Sequence, residues 1–188
     1  MAKPTVSAAE FMERAKSDRE LYFKSAVKIT PKDAKKLVPL EMRFAQRKLM
    51  DIIDAERAAG RPPRIIILKA RQIGFSTVVG AEIFRQCHLY PHQQALITAH
   101  KTEPAEKLFE KLQVIYDELP GPIKPKRKYA TKRLMQFTEN RSSIQVEVAG
   151  EARGYTAQVV HLTELAFVED ASTLMTAIMQ VVPDTPES

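Results

Sequence analysis

The run Ile65-Ile66-Ile67-Leu68 leads without a break into Lys69-Ala70-Arg71-Gln72-Ile73-Gly74-Phe75-Ser76-Thr77, and Val78 to His88 then reads as a helix. A continuous β-branched run predicts a strand buried on both faces, which belongs in a parallel sheet covered by helices. A second such strand, Ala95-Leu96-Ile97-Thr98, follows. Thr102 is then placed to cap a helix whose Ala105, Leu108, Phe109, Leu112, Ile115 and Tyr116 recur at helical spacing. Two consecutive strand-to-helix units predict an α/β fold.

Further along, Pro120 to Pro125 is rich in chain breakers and leads into the basic run Lys124, Lys126, Arg127, Lys128, Lys132 and Arg133. Leu134 to Phe137 and Ile144 to Val148 read as short strands joined as a hairpin through Thr138 to Ser142. After the loop Gly150 to Thr156, Val159-Val160-His161-Leu162 is another buried-strand signature, ending in Thr163-Glu164, and a last helix is expected over Ala171 to Met179. Upstream, Ser7 to Ser25 spaces Phe11, Ala15 and Tyr22 as a helix with a thin apolar stripe, an extension or partner-facing arm. A helix after Pro39 is expected to pack Phe44, Ala45, Leu49, Ile52 and Ile53 on one face and to stop at Gly60, before Pro62-Pro63. The division expected is a helical arm over 1–38 and one globular domain over 39–188.

With 188 residues and 44% hydrophobic content the chain can bury one core. Its net charge of +6 is uneven: +4 over 1–60, +8 over 61–133 and −6 over 134–188. A basic middle invites a polyanionic partner, although it is equally an ordinary route to solubility. No apolar run reaches a membrane-spanning length, so no membrane partner is expected. A single cysteine, Cys87, excludes an internal disulfide framework, and Cys87, His88 and His92 lack a fourth ligand at metal-binding spacing.

The chemistry concentrates at two places. A phosphate site needs backbone N–H groups converging at the positive end of a helix, and residues 64–88 supply a strand, a loop and a helix in that order. Against the pattern G-x-x-x-x-G-K-[ST], position 69 is Lys, Gly74 and Ser76 fit, and Phe75 stands where the lysine belongs. The missing cation has two replacements within reach: Lys69 at the start of the loop and Arg71 with its forked guanidinium. Gly74 permits the turn into the helix and Ser76 offers a hydroxyl to Mg²⁺. The bland alternative, two solvated loop cations and a turn glycine, fits this segment as well. The second place is Thr163-Glu164. A carboxylate at the end of a buried strand can orient an attacking water, and Thr163 stands where an aspartate would usually face the metal.

These residues resemble a known family. Lys69 to Thr77 is similar to the divergent Walker A of the large terminases of tailed phages, and Arg153-Gly154-Tyr155-Thr156 followed by Val159 to Phe167 resembles the stretch that carries their Walker B. The resemblance covers residues 40 to 180. It implies a P-loop NTPase of the additional-strand, RecA-like class: a mostly parallel sheet flanked by helices, with an N-terminal helical extension. It also implies ATP and Mg²⁺ as cofactors. Nucleotide would be bound by Gln46, Lys69, Ala70, Arg71, Gln72, Ile73, Gly74, Phe75, Ser76 and Thr77, with Gln46 reading adenine. The metal would lie on Ser76 and Thr163, and catalysis would fall to Glu164 and Arg71. The implied task is DNA translocation into a procapsid in the cytoplasm of an infected bacterium. Double-stranded DNA, a portal protein and a small terminase subunit are the implied partners, and the assembly a homo-oligomeric ring. The family's coupling motif and nuclease domain lie beyond this sequence, so no DNA cleavage is expected. Two other readings stay open: another translocase or helicase-like ATPase, and a non-catalytic nucleotide- or DNA-binding module acting through Lys124, Lys126, Arg127 and Lys128.

Overall fold

A computed structural model of the chain describes residues 6–31, 35–70, 73–149 and 156–185. Its centre is a helix, α4 (Phe75–Leu89), of whose 15 residues 12 are buried. A helix buried all round must sit between layers rather than on one. One layer is a five-stranded sheet formed by β3 (Gln94–Ala99), β4 (Arg127–Ala130), β5 (Leu134–Phe137), β6 (Ser143–Val148) and β7 (Val159–Leu162), in the order β4-β5-β6-β3-β7. Strands β6, β3 and β7 run parallel, and β4, β5 and β6 are joined antiparallel. Alternation sorts the strand residues. Ala95, Ile97 and Ala99 of β3 and Ile144 and Val146 of β6 share a core with α4 and with α5 (Thr102–Asp117). On the other face Leu96 packs with Leu174 and Ile178 of α6 (Ala171–Val181). The result is the α/β sandwich with a parallel centre that the sequence predicts.

The N-terminal residues lie against α4. Helices α1 (Ala8–Ser17) and α2 (Arg19–Ala26) break at Asp18, whose side chain accepts from the Leu21 N–H and so caps α2, where the sequence reading had one helix. Ala15, Tyr22, Phe23 and Ala26 enter the core. Short strands β1 (Lys28–Ile29) and β2 (Val38–Pro39) pair antiparallel and lead to α3 (Phe44–Ala58). No helix among the described residues is long and apolar enough to cross a membrane.

Three expectations are corrected. The run Ile65–Leu68 is not a strand: residues 61–70 carry no regular structure, Ile66 is 88% exposed and Leu68 fully so. The physical reason is the sheet's limit. Strand β7 is its edge, paired to β3 alone, and no described strand lies beside 65–68 to take up its backbone groups. The buried face of α3 is also rotated, carrying Gln46, Leu49 and Met50, while Phe44 is 83% exposed. Finally, part of the basic run is the edge strand β4, where charged side chains blunt an otherwise sticky edge.

Polar groups buried with α4 are matched. Glu82 receives hydrogen bonds from Arg85 Nη2 (2.8 Å) and Nε (2.9 Å), from Arg19 Nε (2.9 Å) and from the Gln86 amide (3.1 Å). Burial alone would raise its pKa, but the hydrogen bonds and charges of Arg85 and Arg19 outweigh it and bring it to about 2. His88 Nε2 faces the Ile123 carbonyl at 2.8 Å, and its Nδ1 faces the Tyr22 hydroxyl at 2.7 Å. A carbonyl only accepts, so Nε2 carries the proton and Nδ1 accepts from Tyr22. Burial lowers the His88 pKa to about 4.

The unfolded chain therefore binds a proton at His88 near pH 6.5 that the folded chain refuses until about 4, so stability falls as pH drops through that window. His88 alone accounts for about 2 kcal/mol between pH 7 and 4.5. The Glu82 contribution, present above its unfolded pKa, is lost only below that range, as pH falls toward about 2. Urea unfolding at a series of pH values checks this, and His88→Gln should flatten the upper window.

Candidate nucleotide site

Helix α4 begins at Gly74, which has φ +75° and ψ 18°, the left-handed conformation that glycine enters without strain. No side chain caps the first turn of α4. The first N–H groups of a helix have no intrahelical partner, so this turn presents donors and the positive end of the helix dipole. Phe75 points into the core and is buried, so it can offer only its backbone N–H. Ser76 and Thr77, next in the turn, are half-buried. Lys69 and Ala70 are exposed, and Arg71 and Gln72 lie outside the described residues.

Gln46 holds the loop from beneath. Its Oε1 accepts from the Arg43 N–H at 2.9 Å, closing the start of α3, and its Nε2 donates to the Ile73 carbonyl at 3.0 Å. A Cβ at position 74 would stand 2.7 Å from that same Nε2. The side chain is buried, with one amide proton and one lone pair beyond these two bonds. Gln46 thus braces the turn, a contact that the sequence did not signal.

The second place that the sequence marks is the end of β7. The N–H of Thr163 donates to Thr98 O at 2.9 Å, continuing the β3–β7 ladder, and Thr163 is buried. Glu164 then turns left-handed, with φ 56° and ψ 39°, and opens a 3₁₀ turn over Leu165–Phe167. A non-glycine residue in this region is strained and persists where its surroundings hold it. The Glu164 side chain is half exposed, and its Oε2 lies 2.8 Å from His100 Nδ1. His161, in the middle of β7, has a pKa lowered to about 4, first by burial and then by the positive charge of Lys69. That charge brings the start of the 69–77 loop close to β7.

Residues 124–128 lead into β4 at the far sheet edge, with three strands between it and β7. The Tyr116 ring holds Lys124 Nζ at 4.7 Å and the Arg127 guanidinium at 4.0 Å, and Lys124 Nζ also donates to the Asp117 carbonyl at 2.8 Å. Lys126 and Lys128 are exposed. His100 is the residue that sequence reasoning missed. Its one signal was its position after the buried strand at 95–98.

Gly74→Ala should destabilise the chain by about 1–2 kcal/mol, because an L-residue resists the left-handed region. For a chain of this length that is a fall of roughly 2–8 °C in Tm, read by thermal unfolding. In a Gln46→Ala background, itself less stable for want of the bonds to Arg43 and Ile73, the added penalty of Gly74→Ala should be smaller but not zero, since the steric contact is gone and the backbone strain remains.

No family model matches the sequence, and no curated protein does. Among solved structures, the HK97 bacteriophage large terminase is similar with a TM-score of 0.65 at 15% identity, over 84% of this chain and 34% of that one. The ATPase domain of the Thermus phage P74-26 large terminase, in two structures of which one is a point mutant, is similar with a TM-score of 0.51 at 20% identity, over 76% of this chain and 65% of that one. The chain therefore has the fold of large-terminase ATPase domains and spans about a third of the HK97 protein's length.

Proposed function

We propose that the chain is the ATP-hydrolysing motor domain of a large terminase, with the site formed between the start of α4 and the end of β7. The observation that carries this reading is Gly74 in its left-handed turn, opening an uncapped helix on the fold of a terminase ATPase domain. The donor set fits a nucleoside triphosphate with Mg²⁺: first-turn N–H groups, the Lys69 ammonium, the Ser76 hydroxyl, and a carboxylate at the end of a neighbouring layer.

In this reading the N–H groups of 73–77 and Lys69 hold the phosphate oxygens, and Arg71 faces the charge that builds up during transfer. Ser76, with Thr163 through a water, would hold the metal, which when bound neutralises phosphate charge. Glu164 orients the attacking water and takes its proton. Gln46 keeps one donor and one acceptor for an adenine edge while its other two positions brace the loop. Neither hydroxyl brings charge to the metal, and Thr163 would reach it only through a water, so Ser76 would be the protein's direct ligand. Translocation of double-stranded DNA, a ring of copies, and a portal protein and small terminase subunit as partners belong to the same proposal, as does action in the host cytoplasm. Lys126 and Lys128, exposed toward the far edge, would meet a phosphate backbone.

Phosphate release from ATP and Mg²⁺, measured with equilibrium nucleotide binding, tests it. Glu164→Gln should bind ATP and lose turnover by roughly 100-fold or more. Lys69→Ala should weaken binding by roughly 10-fold or more, the worth of a charge-assisted hydrogen bond. A wild-type chain that binds no ATP, yet binds duplex DNA with a steep salt dependence that Lys126→Ala and Lys128→Ala reduce, would make it a DNA-binding module instead.

A further inference from the structure

Register brings together two residues that the sequence keeps 64 positions apart. Thr98 of β3 stands opposite Leu162 of β7, and the parallel pairing continues through the bond from Thr163 N–H to Thr98 O. One step further, past the ends of both strands, His100 falls beside Glu164. The open ends of parallel strands are where side chains from neighbouring loops converge on a ligand.

The two side chains are held unequally. The His100 ring is 17% exposed and lies against Phe167, centroids 5.4 Å apart at 35°. Its Nδ1 is buried and, among the described residues, completes no well-aligned hydrogen bond, so the approach of Glu164 Oε2 at 2.8 Å is what compensates it. Glu164 is half exposed, on a backbone fixed by its left-handed turn and by the bond from Phe167 N–H to Glu164 O at 2.9 Å. The imidazole is the enclosed post of the pair and the carboxylate its more exposed member.

We propose that His100 is a positioning residue for Glu164, selecting the carboxylate rotamer from which it meets the attacking water. This rests on the reading of Glu164 given above. Without the post, the same carboxylate samples solvent-facing rotamers, and a displacement of about 1 Å at a reacting group is enough to cost roughly 100-fold in rate. Phe167 seats the ring, so the arrangement is one unit: strand end, ring and turn.

The test has two arms. In the kinetic arm, His100→Ala should lower kcat for phosphate release by about 10-fold or more while KM for ATP stays within about twofold, and His100→Gln, which keeps a donor of similar reach, should recover part of the loss. Unchanged kcat in His100→Ala overturns the proposal. So does a joint fall in kcat, ATP affinity and Tm that His100→Gln does not relieve, since that marks a structural role only. In the spectroscopic arm, imidazole ¹⁵N shifts of His100 are compared at one fixed pH between wild type and Glu164→Gln, without nucleotide. A change at Nδ1 supports the contact and an unchanged signal overturns it, whether or not the chain turns over. If Glu164→Gln keeps full turnover, the assignment of Glu164 fails. If it abolishes turnover while His100→Ala does not, the positioning role alone fails.

Discussion

A carboxylate in the middle of a buried helix is the constraint on which the arrangement depends. Glu82 lies on α4, the helix that both the sheet and the N-terminal helices pack against, and an unpaired charge there would cost several kcal/mol. Arg85, one turn along, satisfies part of it, and Arg19 at the start of α2 supplies the rest while its other guanidinium nitrogens hold Asp54 of α3. Arg57, whose pKa is lowered by burial, adds a third guanidinium to the cluster. One ionic cluster thus joins α2, α3 and α4. Removing Glu82 would leave the buried Arg85 and Arg19 without their shared partner, which is why such a cluster fixes geometry more firmly than its net contribution to stability suggests.

That geometry reaches the site through α3. Held by Arg19 at Asp54 near one end, α3 carries Gln46 near the other, and Gln46 bonds the carbonyl just before Gly74. The left-handed turn is then set twice, by glycine's own freedom and by an amide fixed to a helix that is itself pinned. On the other side, the β3–β7 ladder sets Thr163, Glu164 and His100 without help from α3. Two independent supports thus set the two halves of the proposed site, and the lowered pKa of His161, due first to burial and then to the charge of Lys69, places Lys69 within electrostatic reach of β7.

Much of this was legible in the sequence, in proportion to how local its causes are. Strands β5 and β7 fall on the residues that alternation and β-branching select, and α4 follows the loop as the spacing requires. Gly74 was legible because only a turn into a helix explains it there. The face of α3 was not: Ala45, Leu49 and Ile52 and the observed Gln46, Leu49 and Met50 overlap at helical spacing, and the choice between them turned on a polar residue with a buried hydrogen-bonding task. Strand β4 was hidden by its charges, which suit an edge and read as a loop. His100 carried no signal beyond its place after the buried strand at 95–98, since its meaning comes from register with a residue 64 positions away.

The run Ile65–Leu68 teaches the opposite lesson. Its composition answers whether a segment is suited to burial on both faces, and that answer stands. Burial itself needs neighbours, and hydrogen bonding in a sheet needs a partner on at least one side. Among the described residues no strand pairs with this segment, and only Ile65 packs against the core: Arg64 ties its start to Met179 and Asp184 near the end of α6, the Lys69 charge is felt by His161 on β7, and between these points Ile66, Ile67 and Leu68 are exposed. The segment is anchored at its start by Arg64, with three residues of strand-forming composition exposed along its length. Strand propensity is therefore a property of the segment, while strand formation is a property of the sheet, and here the sheet ends before it reaches the residues best suited to join it.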